Sequence, residues 1–152
     1  MTIKDRLSQD LQTAMRQGNE LRRSVVRLVK SSVQYEEIAR GRPLDDPGVI
    51  DVINRMVRQH RESIEAFRKG NRPELVQREE GELAVLMEYL PQQLSEAELV
   101  ELARQAVQET GARLPSDQGK VMGRLMPKVR GRAEGAQVSA IVARLLKEQA
   151  SS

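Results

Sequence analysis

Cysteine is absent from this chain of 152 residues, and histidine occurs only once, as His60. Without cysteine the protein has no disulfide scaffold, no thiolate zinc site and no cysteine nucleophile. A single histidine argues against a Ser-His triad and against a metal site built from several histidines. The aromatic residues are limited to Tyr35, Phe67 and Tyr89, which excludes a surface that stacks nucleic-acid bases on aromatic rings.

Long apolar runs are also missing, since no segment approaches the roughly 20 residues that cross a bilayer. The segment Met1–Arg6 has no apolar stretch after its charges, so we predict that it is not a secretory signal peptide. We therefore expect a cytoplasmic protein with no membrane contact. Charged residues make up 31% of the sequence but the net charge is only +3, so the distribution of charge is more informative than its sum.

The apolar residues that are present recur with a helical period, and no alternating stretch is long enough to predict a strand. Seven helices are expected. Gly18 and Gly111 are predicted to end the first and fifth helices, and Pro91 to end the fourth. The predicted fold class is therefore all-α, with an N-terminal bundle of about four helices over residues 1–90 and a small C-terminal three-helix domain over residues 91–152.

Local signals predict three further details of these helices. Asp46 and Pro47 are expected to be the N-cap and the first residue of the third helix. Pro127 is expected to end the sixth helix, because proline lacks an amide donor. The second helix is expected to bury an apolar stripe that begins with Leu21, Val25, Leu28 and Val29.

Positive charge collects in residues 113–132, where six basic residues stand against one acid, Asp117. Arginine matches phosphate geometry, and Gly131 is expected to form a flexible hinge that lets the backbone approach a phosphate. Such a segment predicts salt-sensitive binding of nucleic acid without sequence preference. The candidate RNA-binding residues are Lys120, Arg124, Lys128, Arg130 and Arg132.

A purely structural explanation of the same charges stays open. The fifth helix is acidic, and a basic segment that pairs with it would be a structural surface rather than a binding surface. Exposed ion pairs of this kind add little stability. The acids concerned are Glu96, Glu98, Glu101 and Glu109.

No catalytic constellation emerges from the remaining residues. His60 falls on the apolar period of the third helix and is expected to be a partly buried structural residue. The acids of the fourth helix are expected to face the basic second or third helix rather than to hold a metal ion. Gly119 and Gly123 do not belong to a phosphate-binding loop, and close packing of the sixth helix on a neighbour explains them better. We therefore predict no catalytic residue, no metal site and no cofactor.

Three stretches of the chain carry motifs in a fixed order. They are Arg58–Phe67 with Gly70-Asn71-Arg72, then Tyr89-Leu90-Pro91-Gln92-Gln93-Leu94-Ser95-Glu96, then Gly119–Gly123 with Met126-Pro127-Lys128-Val129-Arg130-Gly131-Arg132-Ala133-Glu134-Gly135. In this order and spacing the sequence resembles the YqeY family of small bacterial proteins, also written GatB/YqeY, along essentially its whole length. Two residues depart from the family pattern: His60 stands where a basic residue is usual, and Glu134 where Asp is usual. Glu134 keeps the negative charge of a helix-capping acid but lengthens its reach.

The resemblance implies an all-helical fold in two parts. It also implies kinship with the C-terminal region of the B subunit of the tRNA-dependent amidotransferase, and with a domain appended to some glutaminyl-tRNA synthetases. In those settings the module is a tRNA-binding appendage, and the amidotransferase chemistry belongs to other domains.

The leading hypothesis is a non-catalytic module that recognises tRNA by its shape and phosphate positions. The alternative is a protein–protein adaptor that docks on an aminoacyl-tRNA synthetase or an amidotransferase subunit. A carbon–nitrogen ligase with glutamine as amide donor is the second alternative. It depends on the family label alone, because neither a nucleophile nor an ammonia source can be assigned in the sequence.

Overall fold

The computed structural model describes residues 1–151, and the regular secondary structure in that part of the chain is entirely helical. A short 3-10 turn, Pro115–Asp117, precedes the sixth helix. The predicted all-α fold, with four helices followed by three, is confirmed. The helices are α1 Ile3–Gln17, α2 Glu20–Arg40, α3 Asp46–Lys69, α4 Pro73–Met87, α5 Glu96–Thr110, α6 Gln118–Val129 and α7 Gly135–Ala150.

Two compact units divide the chain after Leu90. The first unit contains α1 to α4, and the second begins at Pro91 and contains α5 to α7. Each unit has its own cluster of buried apolar side chains. The largest fully buried ones include Leu7, Ile53 and Leu86 in the first unit, and Leu99, Leu125 and Leu146 in the second. Among the described residues, no helix combines the length and the apolar character needed to span a bilayer.

The start of α3 differs from the prediction by one residue. Asp45, not Asp46, is the N-cap, and its carboxylate accepts the amide of Gly48 at 3.0 Å. Asp46 is the first helical residue and Pro47 the second, a position where proline is tolerated because no amide donor is needed there. The Asp46 carboxylate instead accepts the amide of Ile3 at 3.0 Å, which ties the start of α1 to the start of α3.

The second helix buries only part of the predicted stripe, since Val25 and Val29 lie in the core as predicted. Leu21 and Leu28 are 41% and 51% exposed, so their assignment to the core was wrong. Where apolar residues are neighbours in the sequence of a helix, as Leu28 and Val29 are, the apolar period does not determine which of them faces the core. In α2 the β-branched valines face the core. The buried residues of α2 are Val25, Val26, Val29 and Val33.

The sixth helix continues through Pro127 and ends at Val129, which contradicts the predicted stop. The proline leaves the carbonyl of Gly123 without an amide donor, but both residues lie on the exposed side of the helix, where water can take that place. Val129 is fully buried in the second unit, which favours the additional turn. Lys128 is therefore part of α6.

Candidate nucleic-acid interface

Three of the predicted phosphate contacts form one exposed stripe along α6. Lys120, Arg124 and Lys128 follow each other at intervals of four residues, which places them on the same side of a helix. Each of the three side chains is exposed. The stripe is held outward because the next residue in each case is buried: Val121, Leu125 and Val129. We call Lys120, Arg124 and Lys128 the α6 basic stripe.

One carboxylate, that of Glu109 on α5, engages two members of the stripe. The Arg124 Nε lies 2.8 Å from Glu109 Oε2, and the Lys128 Nζ lies 3.6 Å from Glu109 Oε1. The hydrogen bond from Arg124 lowers the pKa of Glu109, and the charge of Lys128 lowers it further. Both cations still expose a large part of their surface, 59% for Arg124 and 41% for Lys128. Solvent-exposed pairs of this kind are weak, so a polyanion can compete for both cations.

Lys120 lies at the start of α6, next to a carboxylate that is already used by the backbone. Asp117 accepts the amides of Arg113 and Leu114 at 3.0 and 3.1 Å, and these hydrogen bonds lower its pKa more than the nearby charge of Lys120 does. The Asp117 carboxylate therefore fixes the turn that leads into α6. Lys120 follows in the first turn of α6 and is exposed.

The segment that follows α6 is a braced turn rather than the expected flexible hinge. Gly131 is buried and has a φ of 78°, a left-handed conformation that favours glycine. The Gly131 carbonyl accepts the side-chain amide of Gln93 at 2.8 Å, and the Arg132 amide donates to the Val129 carbonyl at 2.8 Å. The Arg132 carbonyl in turn accepts the Leu94 amide at 2.9 Å. The glycine thus serves a tight turn that three hydrogen bonds hold in place.

The two arginines of this turn differ in exposure. Arg130 is exposed, whereas Arg132 is half-buried and donates from Nε to the carbonyl of Gln92 at 3.1 Å. Arg132 therefore contributes to the turn itself, and its guanidinium is only in part available to a ligand. Gln92 and Gln93, which hold the turn from the preceding loop, were not predicted as functional residues. Their sequence signal is the Leu90–Leu94 stretch, whose polar residues follow Pro91 outside any helix.

The structural explanation of the basic segment holds for only part of the acidic helix. Glu109 pairs with the α6 basic stripe, as that explanation requires. Glu98 completes a capping box with Ser95, in which each residue's side chain accepts the other's amide at 3.1 Å; these hydrogen bonds lower the pKa of Glu98, and the charge of Arg132 lowers it further. Glu96 and Glu101 are exposed. One carboxylate of α5, that of Glu109, thus forms ion pairs with two residues of the α6 basic stripe.

The expectation of close packing at Gly119 and Gly123 is wrong. A Cβ atom at either position would meet no other group within 4 Å, so both glycines face open space. They lie one residue before Lys120 and Arg124, beside the α6 basic stripe. The missing side chains leave the helix backbone accessible next to two cations.

The start of α7 lies three residues after Arg132. Glu134 is its N-cap residue by position, but its side chain makes no capping hydrogen bond, so the predicted capping role is wrong. Glutamate is not among the short side chains that cap well, and its extra methylene accounts for the difference from Asp. Gly135 and the next two residues are exposed, and the first amides of a helix without a side-chain cap can donate hydrogen bonds to an anion. A hydrogen bond also joins α6 to α7: the side-chain amide of Gln118 donates to the Ser139 hydroxyl at 2.9 Å.

The prediction that the acids of the fourth helix face α2 or α3 is confirmed for two of them. Glu80 pairs with Arg68 of α3 at 2.8 Å, and Glu88, which directly follows α4, pairs with Arg22 of α2 at 2.7 Å. His60 is half-buried, and its Nδ1 lies 2.9 Å from the carbonyl oxygen of Met56 one turn earlier in α3. These ion pairs belong to the first unit, away in sequence from the α6 basic stripe.

Comparison with known proteins identifies relatives across most of the chain. A family model described as Yqey-like protein matches residues 4–146. Altered inheritance of mitochondria protein 41 of Lachancea thermotolerans is 38% identical over 96 residues, which cover 61% of this chain and 51% of the relative. The protein of the same name in Pyrenophora tritici-repentis is 31% identical over 132 residues, 84% of this chain and 71% of the relative. The chain spans about half the length of the first fungal relatives it matches.

These relatives overturn the prediction of a cytoplasmic location, because they are named as mitochondrial proteins. The absence of an apolar signal segment was the basis of that prediction. A mitochondrial targeting peptide is amphipathic and rich in arginine, so the lack of an apolar segment does not distinguish a mitochondrial from a cytoplasmic protein. The family predicted from the three motifs is confirmed, and the match extends over nearly the whole sequence. The chain therefore belongs to the YqeY-like protein family.

Proposed function

We propose that this chain is a non-catalytic RNA-binding module that binds tRNA through its phosphates, in association with aminoacyl-tRNA synthesis or tRNA-dependent amidation. The observation that carries the proposal is the α6 basic stripe, three cations on one exposed helix face. The names of the fungal relatives mention no RNA. The proposal therefore rests on this surface and on the kinship that the motifs imply.

The surroundings of the stripe support contact with phosphates rather than with bases. Arg130 is exposed just beyond the end of α6, and the braced turn at Gly131 limits its backbone freedom. Gly119 and Gly123 leave open space beside the cations, so a phosphate can approach the helix closely. The three aromatic residues of the sequence all precede Pro91, so the second unit has no aromatic ring for base stacking. Binding by backbone position and shape is the mode that these features allow.

A filter-binding titration of the full chain with bulk tRNA at two salt concentrations tests the proposal. We expect affinity to fall steeply with salt, because each neutralised phosphate releases counterions. The double substitution Lys120→Ala with Arg130→Ala removes two exposed cations and leaves the Glu109 pairs and the Gln92 contact intact. It should weaken binding and reduce the slope of log affinity against log salt by about 1–2.

A matched control removes the same charge elsewhere in the second unit. Arg144 and Lys147 lie near the end of α7, and their replacement by alanine should leave tRNA affinity within about twofold of the wild type, because the salt-dependent contacts lie on α6. Undetectable binding at low salt, or equal losses in the two double variants, would reject a tRNA site at the α6 basic stripe.

The adaptor alternative is favoured by a different observation in the first unit. Leu28, Tyr35 and Ile38 of α2 are 51%, 75% and 74% exposed, and they lie along one side of that helix. Exposed apolar side chains that share a helix face are typical of protein-binding surfaces. A pull-down with purified synthetase or amidotransferase subunits after nuclease treatment separates the two functions. Capture that survives nuclease and is lost in Tyr35→Ala with Ile38→Ser supports the adaptor, and no capture rejects it.

A further inference from the structure

A mixed group of metal-ligating side chains lies between two helices of the first unit. His60 comes from α3, and Glu79 and Glu82 come from one face of α4, three residues apart. One ligand atom from each residue lies within 4.8 Å of the other two. The His60 Nε2 is 3.5 Å from Glu79 Oε2 and 3.4 Å from Glu82 Oε2. The three side chains are mostly shielded, with 13%, 22% and 17% of their surfaces exposed.

The hydrogen bond on the other side of the imidazole fixes its tautomer. The His60 Nδ1 lies 2.9 Å from the carbonyl oxygen of Met56. A carbonyl oxygen only accepts, so Nδ1 carries the proton, and in the neutral ring Nε2 presents its lone pair to the two carboxylates. A histidine whose second nitrogen donates to a backbone carbonyl has the orientation that is typical of a metal-bound histidine.

The separations within the group suit a shared cation better than direct hydrogen bonds. A charge-assisted hydrogen bond from imidazolium to carboxylate would be about 2.7–2.9 Å long. Donor atoms around a tetrahedral zinc ion, at about 2.0–2.2 Å from the metal, are themselves about 3.3–3.5 Å apart. The two distances from Nε2 fall close to that edge length.

The charge balance of the group also calls for a cation. Two carboxylates and a nitrogen lone pair that converge in a shielded place repel each other. Arg78 contacts one of these acids from the solvent side: its Nε is 3.8 Å from the other carboxylate oxygen of Glu82, and its side chain is 73% exposed. That contact leaves Glu79 and the inner oxygen of Glu82 directed towards His60.

We propose that His60, Glu79 and Glu82 bind a divalent transition-metal ion of the zinc class, with a fourth position open to water. Imidazole together with carboxylate oxygens suits zinc, whereas magnesium prefers oxygen ligands alone. The bound ion links α3 to α4 and stabilises the first unit. The site is separate from the α6 basic stripe, and its existence does not depend on tRNA binding.

Titration of the untagged full chain with zinc chloride by calorimetry tests the site, and cobalt chloride gives a second signal in the visible spectrum. We expect one zinc ion per chain, visible absorption bands typical of four-coordinate cobalt, and a higher thermal unfolding midpoint with zinc than without it. His60→Gln, Glu79→Gln and Glu82→Gln should each weaken zinc binding by at least about tenfold. Glu80→Gln is the matched control, because Glu80 lies on α4 but pairs with Arg68.

Helical circular dichroism checks that each variant is folded, and the three ligand variants test the site independently of each other. Absence of zinc binding by the wild-type chain would overturn the proposal, and so would equal zinc affinity in His60→Gln and Glu80→Gln. A wild-type chain that binds no zinc would identify the group as an ion pair between imidazolium and glutamates. Neither result bears on tRNA binding, which the filter assay measures separately.

Discussion

Tyr89 is a polar side chain placed almost entirely inside the first unit, with 2% of its surface exposed. Its hydroxyl donates to a carboxylate oxygen of Asp10, and the guanidinium carbon of Arg6 lies 5.1 Å from the centre of its ring. Burial raises the pKa of Tyr89 well above its ordinary value, and the hydrogen bond to Asp10 raises it further. The folded chain therefore holds Tyr89 as the neutral phenol.

Replacing Tyr89 with Phe should change both the stability of the chain and its dependence on pH. Because the folded pKa is raised, the stability contributed by Tyr89 is fully present below about pH 10 and is lost as pH rises above that value. Tyr89→Phe should lower the free energy of unfolding by about 1 kcal/mol at neutral pH and should flatten its alkaline decline. Urea unfolding at a series of pH values measures both effects. Identical alkaline slopes in the two proteins would contradict the raised pKa.

Gly131 is the residue whose backbone conformation most directly affects the candidate interface. Its φ of 78° strains any residue with a Cβ atom, so Gly131→Ala should lower the free energy of unfolding by about 1–2 kcal/mol. Since the turn positions Arg130 and Arg132, tRNA affinity should fall although no charge is lost. Denaturant unfolding and filter binding measure the two effects.

Gly81→Ala is the matched control for that substitution. Gly81 lies within α4 of the first unit, and a Cβ atom there would meet only the end of the Leu21 side chain at 3.4 Å, so alanine should be tolerated or should stabilise the helix by about 0.5–1 kcal/mol. A Gly131→Ala protein that binds tRNA as tightly as Gly81→Ala would show that the turn does not position the cations for binding.

At the scale of the elements, the pairing of α5 with α6 distinguishes a binding surface from a structural one. Glu109 occupies Arg124 and Lys128 through exposed contacts. If these cations bind phosphate, Glu109→Gln should strengthen tRNA binding by a few-fold at low salt, because it removes a competing carboxylate. If they serve only α5, the same substitution should leave binding unchanged. Filter binding at low salt decides between the two outcomes.

Glu101→Gln on α5 is the control for Glu109→Gln, since it removes the same charge from the same helix. Glu101 is exposed, whereas the α5 carboxylate that pairs with Arg124 and Lys128 is that of Glu109. Equal gains in affinity from both substitutions would mean that the effect reflects net charge alone. A gain confined to Glu109→Gln would support direct competition between the carboxylate and RNA phosphates.

The sequence predicted the helices better than it predicted which faces they bury. Gly18 and Gly111 end α1 and α5 in left-handed conformations, because that requirement is local to the glycine. The buried face of α2 was predicted only in part: Val29 is buried as expected, but Leu28 beside it is exposed, because packing against neighbouring helices selects between two apolar residues. The predicted end of α6 at Pro127 was wrong for a similar reason. Burial of Val129 in the core of the second unit stabilises the last turn of α6 more than the hydrogen bond lost at Pro127 destabilises it.

At the candidate interface, too, contacts within one helix could be predicted from the sequence, and contacts between helices could not. The spacing of Lys120 and Arg124 was sufficient to place them on one face, whereas their relation to Glu109 depends on how α5 packs against α6. The metal site proposed here was not predicted from the sequence because His60, Glu79 and Glu82 come from two helices, and His60 alone gave no reason to join the acids of α4 to it. Spacing within a helix is readable from sequence, but convergence of side chains from separate helices requires the fold.

At the scale of the whole molecule, the two units differ in their spectroscopic probes. Both tyrosines precede Pro91, and the sequence has no tryptophan, so tyrosine fluorescence reports on the first unit. Circular dichroism reports on helices in both units. Because each unit has its own buried cluster, we expect the two signals to give different thermal midpoints. Coincident midpoints in the wild type and in every core variant would contradict independent units.

Core substitutions assign each transition to its unit. Ile53 and Leu125 are fully buried, one in each cluster, and truncation of either to alanine should cost about 2–5 kcal/mol. Leu125→Ala should lower the midpoint seen by circular dichroism while leaving the tyrosine midpoint in place, whereas Ile53→Ala should lower the tyrosine midpoint. Zinc added to the wild type should raise the tyrosine midpoint alone, because the proposed ligands all lie in the first unit. If Leu125→Ala shifts the tyrosine signal as much as the helical signal, the chain unfolds as one cooperative body, and a ligand bound at either unit would then stabilise both.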